Sequence, residues 1–169
     1  MKSGKNTHLI RKSRSLHGGV SRILLFAGII LGIWIFAWFA FQGWSKINYM
    51  YALNLGEPPL AQAIELMRNG INPYKTLENP PFTLMPYGPV YPVVAAVLKI
   101  FAGGYFTAAR FLTSVSTLAV STVIGMFAYK RSGSSAAGVV FASAFLVMPV
   151  VQRWGFQVNV DMTALCIEL

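Results

Sequence analysis

The sequence is short of charge, and of acid above all. Of its 169 residues only 11% are charged, and 5 Asp and Glu stand against 14 Lys and Arg, a formal net charge of +9. A water-soluble domain ordinarily carries about 25% charged residues. A chain with so few cannot clothe a globule in polar side chains, so part of its solvent is expected to be lipid. Cysteine is nearly absent: Cys166 stands alone, which excludes an internal disulfide and leaves the compartment undefined. No Walker loop, GxGxxG, CxxC, HExxH or nucleophile elbow occurs, so soluble nucleotide-sugar, ATP or NAD chemistry has no support. There is no internal repeat and no low-complexity tract. The basic excess raises nucleic acid as a partner. These cations lie beside apolar stretches rather than in an aromatic-interleaved patch. They read as topology signals and binders of anionic membrane lipid, and no nucleic acid partner is expected.

What is present is apolar length. Residues 1 to 22 form a basic tail with Lys2, Lys5, Arg11, Lys12, Arg14 and Arg22 and no acid; His8 and His17, with no partner ligands around them, read as solvated. From Ile23 to Phe41 the chain is uncharged and apolar. At 1.5 Å per residue such a stretch crosses the ~30 Å hydrocarbon core. It is longer than a signal peptide's apolar region and is lined by bulky Trp34, Trp38 and Trp44, so it reads as a retained anchor. Gly28 and Gly32 form a GxxxG that could seat a neighbouring helix closely. Phe111 to Tyr129 is a second uncharged span, and 133 to 152 a third. Residues 161 to 169 turn apolar again and read as a fourth span, cut short where the chain stops.

Between the first two spans the composition changes. Eight of the nine prolines lie between Pro58 and Pro92. Leu60, Ile64, Met67 and Ile71 recur at helical spacing, with Pro58 and Pro59 at the start and Gly70 at the end. The pattern predicts a surface helix over about 59–69. A second helix is expected over 88–103, broken by Pro89 and Pro92 and carrying Lys99. Asn72-Pro73-Tyr74 and Glu78-Asn79-Pro80-Pro81 read as turns, and Trp44, Tyr49, Tyr51 and Trp154 as an interfacial aromatic belt.

Parity settles the expected topology. The basic tail places the N-terminus in the cytoplasm, and the outer loop is 42–110. If 88–103 crossed, Lys130-Arg131 would lie outside and Lys99 would be buried at a cost of roughly 3 kcal/mol. We therefore take 88–103 as juxtamembrane or re-entrant. Glu57 and Asp161 then share the outer face. The expected fold class is an all-α multi-pass membrane protein of the cell membrane, with an N-terminal transmembrane module and a juxtamembrane helical loop.

Order and spacing now carry a resemblance. A first span is followed by an acid in the first outer loop, then "RNGINPY" (68–74) and "NPPFTLMPYGPVYPV" (79–93). "AARFLTSVSTLAV" (108–120), "YKRSGSSAAG" (129–138) and "MPVVQRWGFQVNVDMTALCIEL" (148–169) continue the run. From about residue 23 to its end the chain resembles the N-terminal module of the GT-C glycosyltransferases, polytopic enzymes that use polyprenyl-phosphate-linked sugars. The resemblance implies sugar transfer to an acceptor hydroxyl at the extracytoplasmic face, as part of a longer enzyme, with these 169 residues inactive alone. By position, Glu57 matches the family's first-loop acid, a catalytic base or metal-binding group. Asp161 matches the second-loop acid, which could hold a divalent metal or position substrate with Asn159 and Gln157. Gly56-Glu57-Pro58 departs from the Asp or Asp-Glu pair of many relatives.

Each assignment has a plainer counterpart. Glu57 could be a helix N-terminal acid favoured by the macrodipole, and Asn159 or Asp161 could cap the fourth helix. Lys75, Arg110 and Arg153 are the candidates for the donor phosphate, or cations snorkelling to headgroups. Glu65 and Glu78 read as solvated, and Glu168 as an intramembrane acid or a product of the chain's end. The competing function is a non-enzymatic multi-pass subunit, a transporter half or scaffold. A transporter would place charge at mid-span, and these spans have none.

Overall fold

The computed structural model describes residues 4–75, 85 and 87–169, and for residues 4–22, 24 and 75 the backbone alone. The regular structure of the described residues is all helical, with no strand among them. The tail does not stop short of the first span but winds into it: α1 runs Gly4–Ile47, about 66 Å of helix at 1.5 Å per residue. Its Leu25–Ile47 portion is long and apolar enough to cross a membrane.

Helix α2, Glu57–Arg68, begins on two prolines that need no amide partner. The Asn54 carboxamide oxygen accepts from the Gly56 and Glu57 amides at 2.6 and 3.0 Å. Its buried face is Leu60, Ala61, Ala63, Ile64 and Leu66. Met67 is only half-buried and Ile71 exposed, so the face turns a little from the one that spacing suggested. The helix ends where Gly70 takes a φ of 73°, a left-handed value that glycine tolerates without strain. A single 3-10 turn follows at Pro73–Lys75. The Glu78 segment lies outside the described residues.

Helix α3, Val90–Ala102, answers to the expected 88–103 element and stops at Gly103, φ 77°. Helix α4, Tyr105–Ser132, is longer at both ends than the 111–129 span that hydropathy outlined. It is the second helix with the length and composition to cross a membrane. The third expected span, 133–152, is not one continuous helix. It is two helices, α5 Ser135–Val147 and α6 Pro149–Trp154. Proline disfavours helical backbone in the residue before it, and Met148 sits at φ −55°, ψ 131°. The Gln152 carboxamide donates to the Leu146 carbonyl at 2.6 Å, beside the break. With 13 residues, α5 is about 20 Å long. Helix α7, Val160–Glu168, is N-capped by Asn159, whose side chain accepts from the Asp161 amide.

Helix α4 is the central post, packed by α1, α3, α5 and α7. Its inward face is small and hydroxylic: Ala108, Ala109, Thr113, Ser114, Ser116, Thr117 and Ser121 are buried. Outward it shows Phe111, Val115, Met126 and Phe127. The crossing with α5 is backbone on backbone. A Cβ at Gly125 would lie 2.9 Å from the Gly138 carbonyl oxygen, and one at Gly138 3.0 Å from that of Gly125. The Gly28–Gly32 pair seats α5 as well, facing Val140, Val139 and Ser143. Around the Ile30–Trp44 stretch α1 exposes large apolar side chains, Trp34 and Phe41 among them. Two apolar clusters complete the packing. One joins α2, α3 and α4 through Leu60, Ile64, Tyr91, Ala95 and Ala109. The other joins α1 to the α5–α7 region through Phe39, Leu146 and Phe156.

Candidate functional site

Where α1 ends, the chain builds a knot around two charges. Glu57 and Arg110 are both 0% exposed, and they form a two-bonded ion pair. Arg110 Nε donates to Glu57 Oε1 at 3.1 Å, and Nη2 to Oε2 at 2.7 Å. Backbone groups bond the pair on its other sides. Arg110 Nη1 donates to the Lys46 and Tyr49 carbonyls at 3.0 and 2.6 Å, and Nη2 also to the Tyr51 carbonyl at 2.7 Å. All five guanidinium N–H groups thus have an acceptor. The carboxylate is filled in the same way. Oε1 accepts from the Val158 amide at 2.8 Å, and Oε2 from the Leu53 amide at 2.6 Å. The Phe106 ring covers the guanidinium, 5.0 Å from Cζ. Paired, bonded charge of this kind is the form in which burial is tolerated.

The knot fastens together segments far apart in sequence. Carbonyls of residues 46–51 end α1, Glu57 opens α2, Arg110 belongs to the head of α4, and Val158 precedes α7. A second tie runs beside it: the Asn54 carboxamide donates to the Gln157 side chain. A third lies beneath, where the buried Tyr91 hydroxyl donates to the Ala109 carbonyl at 3.0 Å and meets Thr113 Oγ1 at 3.1 Å. The Thr113 hydroxyl also lies 3.2 Å from the Asn159 carbonyl.

Beside the knot opens a cleft of about 750 Å³. Leu60, Val158 and Met162 give it apolar walls, and Asn54, Tyr87, Arg153, Trp154, Asn159 and Asp161 bring polar atoms and aromatic rings. Asp161 is exposed, in the first turn of α7, where the helix N-terminus favours its negative charge. It does not cap the helix; Asn159 does, accepting from the Asp161 amide at 2.9 Å. Arg153 is exposed, its guanidinium 5.5 Å from the Trp154 ring. Trp154 therefore serves this cleft. The rest of the expected belt, Trp44, Tyr49 and Tyr51, is exposed. Toward the mouth, the Tyr74 hydroxyl donates to the Tyr87 carbonyl at 2.8 Å. Partial desolvation raises the Tyr74 phenol above its ordinary value.

No family model, curated protein or solved structure matches the chain. The site is therefore read from its own geometry. Of the five residues singled out by sequence, the structure pairs Glu57 with Arg110 in the interior, and leaves Asp161 and Arg153 exposed on the lining of the same cleft. The Lys75 side chain lies outside the described residues. Among the described residues, no three His, Cys, Asp or Glu side chains gather as a metal site. Sequence reasoning missed that Glu57 and Arg110 belong together. The available signal was the rule that a buried charge needs a partner, applied to an Arg at the head of a Ser- and Thr-rich helix and a lone acid between apolar segments. It missed Asn54 as well, although Asn-Leu-Gly-Glu-Pro-Pro carries a capping residue ahead of an N-terminal proline.

Proposed function

We propose that this chain is the membrane-embedded N-terminal module of a GT-C-type glycosyltransferase, moving a sugar from a polyprenyl-phosphate donor to an acceptor hydroxyl at the extracytoplasmic face. Membrane residence is supported by the distribution of side chains. Hydroxyls, alanines and glycines face inward on α4, and Phe, Trp, Ile and Val face outward on α1 and α4. Lipid, unlike water, is a fitting solvent for that surface. Because α1 packs on α5 and its last carbonyls accept from Arg110, it is a structural member rather than a removable leader. The N-terminus is assigned to the cytoplasm by the positive-inside rule.

One observation carries the functional reading. Two loops about a hundred residues apart meet at one end of two long apolar helices, around a cleft lined by the exposed Asp161 carboxylate and Arg153 guanidinium. A lipid-linked phosphate is held at that depth, with its tail in the bilayer. In a single displacement the acceptor oxygen bonds to the anomeric carbon as the carbon–oxygen bond to phosphate breaks, and the hydroxyl proton passes to a carboxylate. Asp161 supplies that carboxylate, or holds a divalent cation. Arg153 neutralises the departing polyprenyl phosphate. Glu57 and Arg110 then act as the frame that holds the two loops in register, since their hydrogen-bonding capacity is spent on each other and on the backbone.

The test uses the full-length protein in phosphatidylglycerol-containing vesicles with a polyprenyl-phosphate sugar. Asp161→Asn should cut turnover by about 10²–10⁴-fold, the usual contribution of a general base, with unchanged thermal stability because Asn159 holds the cap. Parental turnover in that variant would remove Asp161 from the chemistry. Glu57→Gln is the weaker experiment. Four N–H donors surround that carboxylate, so the new amide would point N–H groups at N–H groups and unsettle the loops. A second reading, a non-enzymatic multi-pass subunit, draws on the same fact that Glu57 and Arg110 have no valence open to a substrate. Unaltered transport or assembly with no transfer detected would favour it.

A further inference from the structure

The two helices between the long spans pack on each other yet show opposite chemistry outward. Helix α2 exposes Gln62, Glu65 and Arg68, with Asn69 exposed just beyond its end. Helix α3 exposes Val90, Val93, Val94, Val97, Ile100 and Phe101, with Ile100 at 67% and Phe101 at 84% exposure. At 100° per residue these six positions fall within about a third of the helix circumference, so they form one stripe. The remainder of α3 is committed to protein. Tyr91, Pro92, Ala95 and Ala96 are buried, in the cluster shared with Leu60 and Ile64 of α2 and Ala109 of α4. Lys99, the only charge of α3, is turned to that side, its Nζ 4.1 Å from the centroid of the Tyr105 ring on α4.

We infer that α3 is a membrane-docking helix whose Val90–Phe101 stripe is covered by the acyl chains of the bilayer. The inference rests on the membrane reading above and not on the transferase chemistry. Three features select lipid as the occupant. The stripe contains no polar side chain, whereas a protein partner's interface carries a polar rim and hydrogen bonds that set register. It also runs without interruption into the apolar surface of the long helices. Leu98 and Phe101 of α3 share a groove of about 590 Å³ with Phe39 and Trp44 of α1 and Phe111 and Val115 of α4. Finally, α3 has 13 residues, about 20 Å, too short to cross a ~30 Å core but long enough to hold one face against it. The boundary between water and lipid thus passes between α2 and α3. The cleft lined by Leu60 of α2 is tied to the membrane by the helix packed against α2.

Site-directed spin labelling of the full-length protein tests this, with Cys166 and any other cysteine replaced by serine. Single cysteines go at Val97 and Ile100 on α3, Ile30 on α1 and Gln62 on α2, in vesicles of phosphatidylcholine and phosphatidylglycerol. Labels at 97 and 100 should collide with oxygen several-fold more readily than with a water-soluble nickel chelate, as at position 30, and position 62 should show the reverse. If position 30 reads lipid while 97 and 100 favour nickel, α3 is solvated and the inference fails with the membrane reading intact. Low collision with both reagents at 97 and 100 means that protein covers the stripe, and overturns it equally. Nickel-dominated collision at position 30 would instead bring down the membrane reading, and the inference with it.

Discussion

At Arg110, α4 meets its surroundings through five N–H donors, one carboxylate and three backbone carbonyls. About four turns further along, at Gly125, it is held without polar side chains, by backbone pressed on the backbone of Gly138 with Ala142 beside it. Between the two lie hydroxyls, Ser116 to Thr163 at 3.2 Å and Ser121 to the Ala142 carbonyl at 3.0 Å. The charged end is directional. A guanidinium satisfied by carbonyls at residues 46, 49 and 51 admits only one path for the loop between α1 and α2. The glycine end is not directional; it sets how near two helices come and leaves the loops free. A helix gripped in both ways has its distance fixed at one end and its partners chosen at the other.

The largest effect is expected from breaking the charged end. Arg110→Met strands a buried carboxylate and should cost about 3–5 kcal/mol, the usual penalty for removing one partner of a buried pair. It should read out as a large fall in the denaturation midpoint in detergent. The double variant Glu57→Leu/Arg110→Met sharpens the point. An isolated buried pair can often be exchanged for apolar residues at little loss. Here the exchange would still orphan the Lys46, Tyr49 and Tyr51 carbonyls and the Leu53 and Val158 amides, so the double variant should not regain parental stability. Full recovery would show that the backbone bonds to the pair contribute little.

A smaller loss is expected at the other end. Gly125→Leu overpacks a contact in which even a Cβ meets a carbonyl oxygen at 2.9 Å, and should cost about 1–3 kcal/mol. Its signature should differ in kind from that of Arg110→Met. Cysteine cross-linking between α1 and α5 should weaken, while a cross-link between the loops at Asn54 and Gln157 persists. The smallest effect belongs to the middle of the helix. Ser121→Ala removes one interhelical hydrogen bond, worth about 0.6 kcal/mol among membrane helices, and should lower the midpoint only slightly. A loss at Ser121 as great as at Gly125 would mean that hydroxyl bonding, not close approach, sets the α4–α5 crossing.

Much of the scaffold was legible in the residues. Prolines at 58 and 59 with Gly70 beyond bracket α2; Gly103 and Gly133 end α3 and α4; the GxxxG at Gly28 and Gly32 does seat a helix. These signals are local, and neighbours in sequence suffice to express them. The break in the third apolar stretch was hidden because hydropathy averages over a window and passes across Pro149, where a missing N–H and a steric restriction on Met148 divide the helix. Asp161 and Asn159 were left as alternative caps, since both residue types cap well; only the observed bond from the Asp161 amide to the Asn159 side chain separates them.

Composition and periodicity by themselves determined that this chain is helical, rich in long apolar stretches, and punctuated where its helices begin and end. Resemblance, rather than composition or periodicity, drew attention to Glu57 and Asp161, and with them to Lys75, Arg110 and Arg153. Only the tertiary structure decided which of those charges are spent and which are free. A carboxylate's availability depends on how many donors reach its two oxygens. For Glu57 those donors come from Leu53, Arg110 and Val158, residues up to 101 positions away, brought together by helices packing on α4. No window along the sequence contains that sum.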